Sequence, residues 1–122
     1  MDESGTTGIE SAGRLSAVVS DTNGVRVVTL TGEIDHDTGG VLGGALDPAG
    51  APTVRMVVDL RQVTFMDSSG INILIAAHNA LTERGGWLRL ASPSEIVARI
   101  LHIVGVDSLI DTRETLEEAL HP

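Results

Sequence analysis

The chain has 122 residues, 42% of them hydrophobic, a formal charge of −9 and no cysteine; this describes one folded domain with one core, not a disordered chain. All eight basic residues are arginine, which excludes Schiff-base lysines and a Walker lysine, and the missing thiols exclude disulfides, thiolate catalysis and cysteine-ligated zinc. The acidic balance argues against nucleic acid and anionic membrane as direct partners and in favour of a basic protein surface.

Residues 1–13 are rich in Gly, Ser, Thr and acid. They read as a disordered N-terminal tail before a domain over 14–122. The acidic start "MDESGTTGIE" is no signal peptide, and no apolar run reaches membrane-spanning length. A cytoplasmic location is the expectation. "LSAVVS" and "VRVVTLTG" flank the turn "DTNG" at 21–24. Two alternating runs around Asn23-Gly24 predict a β-hairpin.

In "EIDHDTGGVLGGALDPAG", Asp37 or Thr38 can cap a short helix carrying Val41, Leu42, Ala45 and Leu46. Gly39, Gly40, Gly43 and Gly44 fall inside it, and each interior glycine costs about 1 kcal/mol against alanine. Packing must therefore hold this helix. Neither a GxGxxG spacing nor a GK[ST] ending is present, so the cluster is no phosphate loop.

"TVRMVVDL" at 53–60 is β-branched and apolar, and predicts a buried central strand. "RQVTFM" reads as the link to a helix at about 69–84, with Ile71, Leu74, Ile75, His78 and Leu81 on one face. Gly85 ends it and "GWLRLAS" gives another strand. Ser92-Pro93-Ser94-Glu95 reads as a capping box with proline at the first helical position. The helix it opens carries Ile96, Val97, Ile100, Leu101 and Val104 inward, pairs Glu95 with Arg99 across one outer turn, and stops at Gly105. "LID" is a short strand or link. Asp111 and Glu114 read as a capping box for a last helix with Leu116, Ala119 and Leu120 inward. The hairpin implies antiparallel pairing and the later strand–helix–strand unit a parallel crossover. The expected fold is α/β: a mixed sheet of four to five strands, with helices mainly on one face.

His36, His78, His102 and His121 have no metal-ligand spacing, so no metal is expected. Trp87 and Phe65, the only aromatics, read as core. Asp59 ends an apolar strand as a receiver phosphoacceptor does, but such domains need a late lysine that this chain lacks. The remaining feature is Asp67-Ser68-Ser69-Gly70. Ser68 or Ser69 as a hydrolase nucleophile fails the GxSxG pattern and has no assignable base. Helix capping accounts for one such residue, not for three followed by glycine. With no Glu or Gln at the capping-box position, the amides at this helix start read as open to an anion, such as a phosphate on a serine.

"VVDLRQVTFMDSSGINILI" resembles the central signature of anti-sigma factor antagonists, members of the STAS domain family. "LTGEIDHDT" and "GGWLRLASPSEIVARILHIVGVDSLI" are similar to the upstream and downstream segments of that family, so the likeness spans roughly 15–120. The resemblance implies a STAS-like fold and a regulatory switch, not an enzyme, with no cofactor and no metal. It implies phosphorylation of Ser69 by a cognate anti-sigma factor with serine kinase activity. The unphosphorylated form binds that partner and frees the sigma factor, and a serine phosphatase resets the modified form. It places Asp35 on an acidic position tied to binding and phosphorylation. Asp35, His36, Asp67, Ser68, Gly70, Ile71 and Asn72 fall on the implied contact surface. The first helix is more glycine-rich than the family pattern. The alternatives are a STAS module of a larger signalling or transport assembly, and a small serine hydrolase.

Overall fold

The computed structural model describes residues 6–12, 14–51 and 53–121. In chain order these form β1 (Thr6–Ala12), β2 (Leu15–Thr22), β3 (Val25–Ile34), α1 (Gly39–Ala45), a 3₁₀ turn (Pro48–Gly50) and β4 (Arg55–Met66). There follow α2 (Ser68–Glu83), β5 (Trp87–Ala91), α3 (Glu95–Ile103), α4 (Val106–Leu109), β6 (Asp111–Arg113) and α5 (Leu116–Leu120). One sheet runs β1-β2-β3-β4-β5-β6. The first three strands are antiparallel and the rest parallel. The mixed sheet is as expected but has six strands, not four to five. Residues 6–12, read from composition as tail, pair with β2 as an edge strand; backbone pairing needs no apolar pattern. The other residues of the expected tail lie outside the described ones.

The β2–β3 hairpin turns where the Asn-Gly pair predicts. Asn23 (φ 53°) and Gly24 (φ 81°) are both left-handed, the geometry of a two-residue type I′ turn. Thr22 faces Val25, and the register runs back to Leu15 opposite Gly32. At Gly32 (φ 117°) a Cβ would lie 1.8 Å from the carbonyl oxygen of Arg14. Glycine there lets β3 approach Arg14, whose carbonyl accepts from Glu33 N at 3.0 Å.

β4 is buried on both faces, as expected of a central strand: Met56 and Val58 point to one side and Val57 to the other. It does not stop at Leu60. "RQVTFM" continues it, because Thr31, Gly32, Glu33 and Ile34 of β3 keep pairing out to Met66 through two irregular steps. Phe65, expected in the core, is 44% exposed on this extension. Trp87 is partly buried under Arg89, whose guanidinium sits 3.9 Å from the ring centroid.

The main core lies between one sheet face and α1–α4, built from residues such as Leu30, Val58, Leu90, Leu42, Leu74, Val97 and Val106. The glycine-rich α1 does form, held by buried Val41, Leu42, Ala45 and Leu46. α5 instead covers the opposite face, where Ala119 joins Val25, Val57 and Ala91. Two caps differ from expectation. Ser94, not Ser92, caps α3 by accepting from Val97 N; Ser92 adopts φ 55° after β5, so Pro93 precedes the cap. Thr115, not Asp111, caps α5 by accepting from Glu118 N. Asp111 lies in β6 and pairs with Arg113 and Arg89. Gly105 ends α3 as predicted, with φ 83°. Ile96 and Val104, expected inward on α3, are exposed. Among the described residues, no helix is long and apolar enough to cross a membrane.

Candidate functional site

The C-terminal ends of β3 and β4 lie side by side, and the chain leaves them for α1 and α2. Asp67 N donates to Ile34 O at 3.1 Å, which ties the start of α2 to the end of β3. Asp67 is the N-cap of α2. Its Oδ1 accepts from Ser69 N at 2.8 Å, and its carbonyl accepts from Ile71 N at 3.2 Å. The aspartate thus meets one of the orphan donors of the first turn and places negative charge at the positive helix end. The Ser69 amide is therefore occupied, not open to an anion as the missing capping box suggested.

With Asp67 as cap, Ser68 and Ser69 occupy the first two helical positions. Ser68 is exposed and Ser69 half-buried. Among the described residues no hydrogen bond uses either hydroxyl, and no histidine bonds to either serine. Gly70 follows for a packing reason. A Cβ there would lie 2.7 Å from Ile34 Cγ2 and 2.8 Å from Met66 Cγ. Only a hydrogen lets the helix start settle against the ends of both strands.

The β3–α1 loop forms the other half. Asp35 Oδ1 accepts from Asp37 N at 2.9 Å and Thr38 N at 3.1 Å. Thr38 Oγ1 donates to Glu33 O at 3.0 Å and accepts from Asp35 N at 2.8 Å. Thr38 is the positional N-cap of α1, but its side chain secures the loop rather than the helix. Asp35 Oδ2 accepts from Arg14 Nη2 at 2.6 Å, and Arg14 Nε reaches Glu33 Oε1 at 3.1 Å. The Arg14 hydrogen bond holds the Asp35 carboxyl below its usual range, with help from Thr38 and Asp37 and against partial desolvation. The same contact raises the Arg14 guanidinium. Asp35 is thus a neutralised, fixed acceptor, not a free negative charge.

The fold brings the seven expected contact positions to one end of the sheet, but unequally. His36, Ser68 and Asn72 are exposed; Asp35 and Asp67 are half-buried. Gly70 and Ile71 are buried and act as packing. Arg14, and the placing of Thr38 and Phe65 at this end, were not foreseen. Arg14 had a signal: counting back from Thr22 opposite Val25, the hairpin register sets it facing Glu33. Phe65 had none, because a strand's last exposed position looks the same as a core one in sequence. Along α2, a groove of about 300 Å³ separates it from α1, lined by Leu46, Pro48, Ile73, Ala76 and Ala80. Elsewhere His102 Nδ1 lies 2.9 Å from Asp107 Oδ2. Among the described residues no three His, Asp or Glu side chains gather as metal ligands.

The STAS domain model matches residues 16–119. The anti-sigma-F factor antagonist RsfB of Mycobacterium tuberculosis is 33% identical over 108 residues, which are 87% of this chain and 87% of that protein. The crystal structure of an anti-sigma factor antagonist from Mycobacterium paratuberculosis has a TM-score of 0.78 at 32% identity, covering 87% of this chain and 91% of that one. The Bacillus cell fate determinant SpoIIAA in its phosphorylated form has a TM-score of 0.66 at 22% identity, covering 85% and 96%; that likeness concerns the fold.

Proposed function

Because this chain belongs to the STAS domain family, we propose that it is an anti-sigma factor antagonist switched by phosphorylation of Ser69. The unphosphorylated form docks on a cognate anti-sigma factor through the end of the sheet that carries His36, Ser68 and Asn72. That partner is also the serine kinase, and its capture frees the sigma factor. A serine phosphatase removes the phosphate. The chain is then a substrate and a binding module, not an enzyme, and acts in the cytoplasm where its partners work. The names of its relatives support the class of partner.

One observation carries the switch: α2 starts on Asp67 alone, leaving the half-buried Ser69 hydroxyl without a structural bond among the described residues. It can be modified without dismantling the cap. A phosphoserine brings about −1.5 to −2 charges. It arrives next to Asp67, while the nearby Arg14 is already engaged by Glu33 and Asp35. The phosphate therefore gains no counter-charge from Arg14 without breaking those pairs. Burying such a charge unpaired in an interface costs about 3–5 kcal/mol. That weakens a micromolar complex by roughly two to four orders of magnitude. Phe65 and the α1–α2 groove add apolar surface at and beside the same end.

A pull-down with wild-type, Ser69→Ala and Ser69→Asp chains, followed by mass spectrometry, tests this reading. Capture of an anti-sigma factor by the wild type and Ser69→Ala, and its loss with Ser69→Asp, is expected. Equal capture by all three removes the charge mechanism.

A further inference from the structure

α3 carries two apolar stripes, and the sheet covers only one. Val97 and Leu101 are buried in the core. Ile96 is 64% exposed, Ile103 73%, Val104 54%, and Leu109 on α4 48%. Among the described residues, only Phe65 joins these four as an exposed large hydrophobic. Ile100, partly buried, lies between Ile96 and Ile103. The steps from 96 to 100 to 103 are four and three residues, the spacing that keeps a seam of apolar side chains facing another helix.

We propose that a second copy of this chain covers this face by antiparallel packing of α3 against α3. Charge favours the self-pairing. The whole chain carries −9, and residues 94–110 hold one arginine against two carboxylates, a net −1 with His102 neutral. That density is near the chain's average, so what favours self-pairing is how these charges are arranged. The flank of the stripe is self-complementary as well. Glu95 and Arg99, expected to pair with each other across one turn, form no ion pair among the described residues. In a two-fold antiparallel arrangement the same flank of each helix faces its mate. At about 1.5 Å rise per residue, the register that sets Ile96 over Ile100 of the second copy brings Glu95 within a side chain's reach of that copy's Arg99. Each interface then holds both ion pairs and two Ile96–Ile100 contacts, with Ile103 of each copy at the edge, over the Pro93 turn that precedes the other helix.

Sedimentation equilibrium of the full chain, from about 1 µM to about 1 mM, tests this. A monomer–dimer equilibrium is expected. Ile96→Asp and Ile103→Asp, both at exposed positions, raise the dimer dissociation constant at least tenfold with an unchanged thermal melt. Glu95→Arg alone and Arg99→Glu alone weaken the dimer, and the double reversal restores it to within about threefold. A wild-type monomer throughout overturns the proposal and leaves the face to a different protein. So does a dimer indifferent to both isoleucine changes. A dimer that ignores both single charge reversals overturns the antiparallel register.

Discussion

Arg14 Nη2 donates to Asp35 Oδ2 at 2.6 Å, closing an ion pair between residues 21 positions apart in the chain. The loop before α1 is fixed by the residue that immediately precedes β2. The pair has a pH signature. Asp35 titrates below its ordinary value of 3.8, chiefly because of the Arg14 hydrogen bond. A depressed folded value means that its stabilising contribution is complete above 3.8 and is lost as pH falls through the lower folded value. Arg14→Ala should move the Asp35 titration, followed by carboxyl-carbon NMR, up towards the ordinary value. An unmoved titration would show that the Thr38 and Asp37 amides suffice.

Gly70 and Gly44 should respond to alanine with opposite signs. Gly70→Ala drives a methyl to within 3 Å of Ile34 and Met66. Overpacking of this kind costs about 1–3 kcal/mol, which exceeds the gain of under about 1 kcal/mol in helix propensity at a first-turn position. The melting temperature should fall by roughly 5 °C. Gly44 has nothing within 4 Å of an added Cβ, so Gly44→Ala should stabilise the protein by about 0.5–1 kcal/mol. Denaturant titration of the two variants checks both signs.

The cap of α2 predicts a graded series at Asp67. Asp67→Ala removes the acceptor for Ser69 N and should cost about 1 kcal/mol. Asp67→Asn keeps an acceptor oxygen and should lose only a few tenths of that scale. If both variants melt with the wild type, the helix start is held by packing and not by its cap.

Ser69 should behave as a surface hydroxyl in stability and as a switch in binding. Its side chain makes no hydrogen bond among the described residues, so Ser69→Ala should stay within about 0.5 kcal/mol of the wild type. Incubation with the cognate kinase and ATP should put phosphate on the wild type and none on Ser69→Ala. Phosphate on Ser68 alone would sink the assignment of the acceptor.

Much of the architecture was legible because its signals are local. Asn23-Gly24 sets the hairpin through its left-handed angles, Gly105 stops α3 in the same way, and the run 53–60 is apolar on both faces. The small polar cluster marked the start of α2, with Asp67 as its cap. What sequence did not disclose involved partners far along the chain. β1 is defined by backbone pairing with β2. The reach of β4 to Met66 is defined by β3. The caps of α3 and α5 moved to Ser94 and Thr115 once the neighbouring strands had claimed Ser92 and Asp111.

Periodicity, turn chemistry and the family-like segments determine by themselves that this chain is a mixed α/β domain with a small, polar helix start at Asp67-Ser68-Ser69-Gly70. They act over a few residues, so they can be read in one dimension. Only the tertiary structure decides that Asp35 is neutralised by Arg14, that Gly70 is needed because Ile34 and Met66 crowd it, and that α3 presents Ile96 and Ile103 to solvent. Each depends on which surface the sheet covers and which strand ends it brings together, and such contacts have no local pattern.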